Sequence, residues 1–229
     1  MCGRFVITLP GDEMARLFEA VPDNDLPDND LPDNDLPGGE RFNVCPTQPI
    51  MAVTAGAQPG MRRLRSMRWG FVPAWYKSPT DGPLIINARS ETVAEKPAFR
   101  DAVRERRCLI PASGFYEWTA GPGGARLPYY INRADGGVMA MAGIWQDWNG
   151  MASCAVVSTH AGPGMAGIHD REPVMLERAD WPLWLGEAGK GAALLMKASA
   201  PGLLQMHRVG VAVNSNRSSG AGLIEPVAV

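Results

Sequence analysis

Residues 138–159 read VMAMAGIWQDWNGMASCAVVST, and the fold turns on how this stretch is read. Its two ends, 138–145 and 153–159, are short apolar runs carrying β-branched or aromatic side chains, and each reads as a strand. Working outward, the same pattern predicts strands over 4–8, 49–55, 63–69, 108–111, 128–132, 174–176 and 211–213. Met14, Leu17, Phe18 and Val21 recur at helical spacing and predict a helix over 12–21, with further helices over 98–106, 179–185 and 192–198. Strands outnumber helices and do not alternate with them. That order predicts an α+β fold: a largely antiparallel, curved or barrel-like β-sheet core flanked by a few short helices.

The chain has 229 residues, 45% hydrophobic and 20% charged, which suits one soluble domain spanning 1–229 with a sizeable core. No apolar run approaches the roughly 20 residues of a membrane span, and the opening MCGRFVITLPGDE lacks the basic start and apolar stretch of a signal peptide. A cytoplasmic protein is expected, with no membrane partner. Cys2, Cys45, Cys108 and Cys154 stand singly, without the CxxC spacing of a zinc site or the density of a disulfide scaffold. Reduced thiols, no metal and no cofactor are therefore expected.

Residues 22–37 read PDNDLPDNDLPDNDLP, three copies of a five-residue unit with six aspartates and no basic residue. Setting those six aspartates aside changes the formal charge from −2 to +4, so the remaining body is mildly basic. Too few apolar residues and regular prolines argue against packed or helical structure, so the repeat reads as an exposed acidic loop insertion. Arginines crowd two places, Arg62, Arg63, Arg65 and Arg68, and Arg100, Arg104, Arg106 and Arg107. Such runs fit either phosphate-backbone binding or a solvated face.

Cys2 carries the most distinctive chemistry. Loss of Met1 is expected when the next side chain is small, and it leaves an amine and a thiol on adjacent carbons. The amine condenses with an aldehyde to an imine, and the thiol then closes a five-membered thiazolidine ring. An α-amino group titrates near about 8 and a free thiol near about 8.5, so both have reactive fractions around neutrality. The alternative is an inert small hydrophobe. Four other segments place polar residues in apolar surroundings: Asn87 in LIINARSET (84–92), Glu117 in LIPASGFYEW (109–118), His169 in IHDREPV (168–174), and the basic and aromatic mixture RWGFVPAWYK (68–77). Each has a plain reading as well. Asn87 fits a turn, Glu117 an outward position on a strand, His169 a loop or core position, and Trp69 and Trp75 the core.

Taken in order, MCGRF, RFNVCPTQ, RWGFVPAW, INARSET, RCLIPASGFYEW, AGIW, IHDREPVML and LIEPV resemble the SRAP family, the SOS response-associated peptidases, over nearly the whole chain. The resemblance implies an abasic-site sensor that binds single-stranded DNA and forms a covalent thiazolidine crosslink through Cys2, shielding the lesion during the DNA damage response. It also implies Cys2, Asn87, Glu117 and His169 as the catalytic group. His169 would supply the proton that opens the closed sugar, and Glu117 would move protons at the amine, carbinolamine and imine. A carboxyl between Tyr116 and Trp118 is expected to be partly desolvated and so suited to both acid and base work. Asn87 would hold the amine or the opened sugar in place.

For DNA binding, Arg4, Arg89 and Arg171 each lie within two residues of a proposed catalytic position and are expected to clamp phosphates flanking the lesion, with Lys96 a lesser candidate. Asn43 and Pro46 lie in a loop expected to contact the strand, and Trp69 offers an aromatic face for stacking on a base. A monomer is expected. The peptidase in the family name implies autocatalytic removal of residues ahead of the cysteine; here only Met1 precedes Cys2. Imine formation also opens a path to β-elimination, giving abasic-site lyase activity on the side. The chain departs from the family pattern in the DNDLP insertion, in Cys45 where alanine is common, and in Glu172, whose charge is expected to weaken local phosphate attraction. Two rivals remain: a glutamine amidotransferase with an N-terminal nucleophile, which also begins MCG, and a noncatalytic nucleic-acid-binding module with a structural Cys2.

Overall fold

Met139–Trp148 and Met151–His160 are the two longest strands, and Asn149 and Gly150 join them with positive φ of 51° and 86°. A two-residue Asn-Gly link of that hand matches the twist of the strands it connects and fixes their register at Trp148 opposite Met151. The computed structural model describes residues 2–23, 39–58 and 60–228. In chain order the described strands are β1 (Phe5–Ile7), β2 (Ala20–Pro22), β3 (Arg41–Val44), β4 (Pro49–Ala55), β5 (Arg62–Trp69), β6 (Asn87–Arg89), β7 (Arg107–Ala112), β8 (Gly114–Ala120), β9 (Arg126–Arg133), β10 (Met139–Trp148), β11 (Met151–His160), β12 (Arg171–Pro173) and β13 (Leu204–Arg208). The helices are α1 (Gly11–Leu17), α2 (Arg100–Glu105) and α3 (Trp181–Leu185), with several 3₁₀ turns.

β5, β4, β7, β10 and β11 pair in turn, and β11 returns to β5 through Ser153 opposite Arg68 and Cys154 opposite Trp69. The five strands thus close into a barrel, which removes their edges. A second, antiparallel sheet runs β13-β9-β8-β1-β3. The α+β fold with a curved, largely antiparallel core is as the sequence pattern predicts. β7 and β8 are parts of one run, RCLIPASGFYEWTA, that leaves the barrel at Ser113 and enters the second sheet. Ser113 ties the crossing point, giving its N–H to the Val6 carbonyl and taking the Thr8 N–H at Oγ. One large core holds Phe5, Trp69, Leu109, Phe115 and Val156; a smaller one gathers Val6, Tyr116, Tyr130, Val209, Val213 and Leu223.

Several elements differ from the sequence pattern. The helix expected over 12–21 stops at Leu17, where Glu19 takes a positive φ of 53° and turns the chain into β2, parallel to β5. The strand expected over 174–176 falls at Arg171–Pro173, leaving Met175 with one isolated bridge to Met141. Residues 211–213 form a 3₁₀ turn, Val211–Asn214, because Val213 is drawn into the smaller core rather than onto a sheet edge. The helix expected over 192–198 is the 3₁₀ turn Ala192–Leu195. Of the acidic repeat, Pro22 ends β2, and Asp23 gives its N–H to the Leu64 carbonyl and its carboxylate to Arg63 and Arg65. The rest of the repeat, with the expectation of an exposed loop, lies outside the described residues.

Candidate functional site

The N-terminal segment runs through the junction of the barrel and the second sheet. Cys2 is 1% exposed, and the Phe5 ring meets Trp69 edge-on at 4.9 Å between centroids. Asn87 reaches the segment from β6, its Nδ2 donating to the Cys2 carbonyl at 2.9 Å. Its Oδ1 is buried with no hydrogen-bond partner among the described residues. An unmet buried amide oxygen is costly, so this acceptor stands ready beside Cys2. Asn87 therefore lies in a strand and not in a turn, because β6 pairs parallel with β11 at Val156.

β8 alternates its side chains, and the alternation aims Glu117. Phe115 belongs to the large core and Tyr116 to the smaller one, so Glu117 returns to the face shared with Phe115 and Cys2. Its 3% exposure excludes an outward position. Burial pushes the Cys2 thiol well above its ordinary range, and the Glu117 charge pushes it further. The thiol is accordingly held in its neutral form.

A cleft of about 560 Å³ opens beside these groups, lined by Arg4, Pro46, Glu117 and His169 among the expected residues. His169 Nδ1 accepts the Arg171 backbone N–H at 3.0 Å and also lies 2.7 Å from Asp170 Oδ1. A nitrogen that accepts an N–H bears no proton, so the neutral ring carries its proton on Nε2. The carboxylate contact requires the proton on Nδ1 instead, so one nitrogen cannot serve both contacts at once.

The expected DNA-binding residues divide. Arg89 and Lys96 are exposed, and neither side chain has an ion pair or hydrogen bond among the described residues. Arg4 lines the cleft, yet its Nη1 donates to Asn43 Oδ1 at 2.8 Å and to the Val213 carbonyl at 3.0 Å. Asn43 donates through Nδ2 to the Ser215 and Ser218 carbonyls, so it holds the chain near its far end against Arg4. Two expectations need correction. Trp69 is 0% exposed and gives its indole N–H to the Ile86 carbonyl, so neither face is open to a base. The exposed tryptophan of that segment is Trp75, at 59%. Arg171 is buried, with its guanidinium forked onto Glu91 and bonded to Ser158 Oγ and carbonyl oxygen. It braces the strand after His169, with Nε, Nη1 and Nη2 each already donating to that frame.

The neighbouring Glu172 is also turned inward, accepting the Gly162 and Ser199 N–H groups. Cys45 sits beside Pro46, 8% exposed, with Sγ 3.4 Å from the Asn43 carbonyl. The arginines of β5 are occupied too: Arg62 is forked onto Glu187, Arg63 and Arg65 meet Asp23, and Arg68 reaches the Gly70 carbonyl. Trp118, Arg126 and Asn214 line the cleft without having stood out in the sequence. Among the described residues no group of three or more His, Cys, Asp or Glu is placed to hold a metal ion, and no helix is long and apolar enough to cross a membrane.

A closed barrel joined to an antiparallel sheet, with Cys2 buried next to the cleft-lining Gly3 and Arg4, defines the class of protein. Residues 1–216 match the family model described as SOS response associated peptidase (SRAP), and the chain belongs to that family. It is 31% identical to the abasic site processing protein YoqW of Bacillus subtilis, over 98% of this chain and 99% of that protein. It is 30% identical to the abasic site processing protein YedK of Escherichia coli, over 99% of this chain and 100% of that one. Similarity extends to the mouse abasic site processing protein HMCES, 28% identical over 70% of this chain and 56% of that protein. A crystal structure of a protein from Bacteroides thetaiotaomicron superposes with a TM-score of 0.81 at 20% identity, covering 99% of this chain and 100% of that one.

Proposed function

We propose that this protein processes abasic sites in single-stranded DNA by forming a thiazolidine crosslink through Cys2 once Met1 has been removed. The observation that carries the reading is the placement of Cys2: Asn87 grips its carbonyl, and the buried Glu117 carboxylate lies near enough for its charge to help hold the thiol neutral. A thiol kept neutral by burial and by a nearby anion is a poor first nucleophile. The amine therefore attacks first. Its addition to the sugar aldehyde gives a carbinolamine, which loses one water to become the imine. The thiol sulfur then bonds to the same carbon, and its proton passes to nitrogen. The adduct contains one new C–N bond and one new C–S bond and weighs one water less than its parts.

Each group has a role that follows from its place. Glu117 takes and returns protons at nitrogen and sulfur. His169, on the cleft wall with Nδ1 engaged, presents Nε2–H to the ring oxygen of the closed sugar and so promotes opening to the aldehyde. The unmet Asn87 Oδ1 receives the freed amine and aims its lone pair at the cleft. Arg89 and Lys96 supply exposed positive charge for the phosphates, and Trp75 is the aromatic surface of the 68–77 segment open to a base. This order of events separates the reading from a glutamine amidotransferase, in which the thiol attacks first with the amine as its base.

The test is a denaturing gel and intact-mass measurement of the protein mixed with a single-stranded oligonucleotide bearing one abasic site. The expected product is a denaturant-stable species at the summed mass less one water, absent with Cys2→Ala. An equal yield from Cys2→Ala, or active protein that retains Met1, refutes the thiazolidine route.

A further inference from the structure

Arg126 is an arginine for which the nucleic-acid reading of the cleft has not yet accounted. It begins β9, opposite Ala120 of β8, and lines the cleft with Glu117 and His169. Its guanidinium carbon lies over the Trp118 ring, 4.7 Å from the centroid. Trp118 is itself fixed: its indole N–H donates to Asn214 Oδ1 at 2.6 Å, and Asn214 Nδ2 donates to the Arg126 carbonyl at 3.3 Å. Three cleft-lining residues from separate parts of the chain thus close a ring of contacts.

A cation stacked on an indole keeps its edge N–H groups available, because stacking uses the flat face. The Arg126 side chain is exposed and has no ion pair or hydrogen bond among the described residues. Its charge is uncompensated, and its orientation is set before any ligand arrives. Pre-orientation lowers the entropy lost when a flexible side chain is captured.

We propose that Arg126 is a phosphate-binding residue at the rim of the cleft, held by Trp118 and Asn214 to receive a phosphodiester of the bound strand. The proposal rests on the nucleic-acid reading of the cleft but not on the covalent step. Arg126 does not touch the reacting atoms. It acts on affinity and leaves the rate of the bound complex alone.

The experiment measures binding of an unmodified single-stranded oligonucleotide by fluorescence anisotropy as salt is raised, for the full-length protein and three variants. Losing one phosphate contact on a single strand lowers the slope of log K against log salt by about 0.7, widening the affinity gap about 2.6-fold between roughly 200 and 50 mM salt. Arg126→Ala is expected to show that loss, and Arg126→Lys to recover most of it. Arg16→Ala removes an exposed α1 charge paired with Asp12 and is expected to run parallel to the parent. The rate of adduct formation at saturating abasic oligonucleotide should be the same in Arg126→Ala as in the parent. An unchanged slope in Arg126→Ala overturns the assignment, as does a reduced saturated rate with the slope intact. A parent protein that binds with the predicted salt dependence yet forms no adduct would refute the covalent reading and leave the Arg126 proposal standing.

Discussion

Along β5 the chain sets Arg62, Arg63 and Arg65 against Glu187 and Asp23, whereas Arg126 on the cleft and Arg89 on β6 have no carboxylate partner among the described residues. The first region is the more basic in sequence and the less able to attract a phosphate. A buried ion pair is held by its partner and by the cost of leaving either charge alone, so its arginine is not available to a ligand. Arg171 sharpens the contrast. It lies two residues from His169, where proximity in sequence suggests a ligand contact, but its fork on Glu91 and Ser158 makes it part of the frame.

The largest effect that would break this division is in stability. Arg171→Ala removes four hydrogen bonds and leaves the buried Ser158 acceptors without them, while the Glu91 carboxylate, 36% exposed, turns to water; a loss of about 2–4 kcal/mol is expected in chemical denaturation. Arg89→Ala, on an exposed side chain, is expected to stay within about 0.5 kcal/mol of the parent while weakening DNA binding. Similar stabilities for the two variants would erase the distinction.

The next effect concerns buried thiols, in which burial outweighs any nearby charge and keeps the group neutral. Burial raises the Cys108 and Cys154 thiols, with the neighbouring sulfur adding to Cys108 and the Arg68 charge partly offsetting it at Cys154, which is pushed up to about 12. The folded protein keeps these protons where the unfolded chain releases them near the ordinary value of 9.0. Their contribution to stability is therefore whole below that pH and is lost as pH climbs toward the folded values. On the order of 1 kcal/mol per thiol should be gone by about pH 10, measurable as a falling denaturation midpoint between pH 8 and 10.5. A flat profile there would mean that the thiols are already solvated.

The smallest effect is expected at Asp23. Its carboxylate is only 7% exposed, but its two arginine partners are about a third exposed. Asp23→Ala should cost about 1 kcal/mol and leave crosslinking unaltered. A large loss of crosslinking would connect the β5 edge to the cleft and end the contrast between them.

The barrel was legible in the sequence because its strands carry continuous apolar runs, as in 49–55 and 153–159, and burial on both faces demands such runs. Elements whose character comes from their neighbours were not legible. β6 is three polar or small residues that become a strand only because β11 runs on past its contact with β5 and pairs with them, and β8 mixes a carboxylate with aromatics because its two faces meet different cores. The site divides the same way. Motifs located Asn87, Glu117 and His169, since those residues interrupt apolar runs. The roles of Trp69, Arg171 and Asn43 depended on partners far along the chain, from Ile86 to Ser218, which no local window contains.

Asn43 joins Arg4 to the carbonyls of Ser215 and Ser218, and Arg4 itself reaches Val213. This gives the site a timetable during synthesis. Until those late residues emerge from the ribosome, the first few cannot take up their final seat. An enzyme that removes Met1, as the proposed thiazolidine route requires, would therefore have most of the translation period in which to act. Once the last contacts form, Cys2 is enclosed and that window shuts.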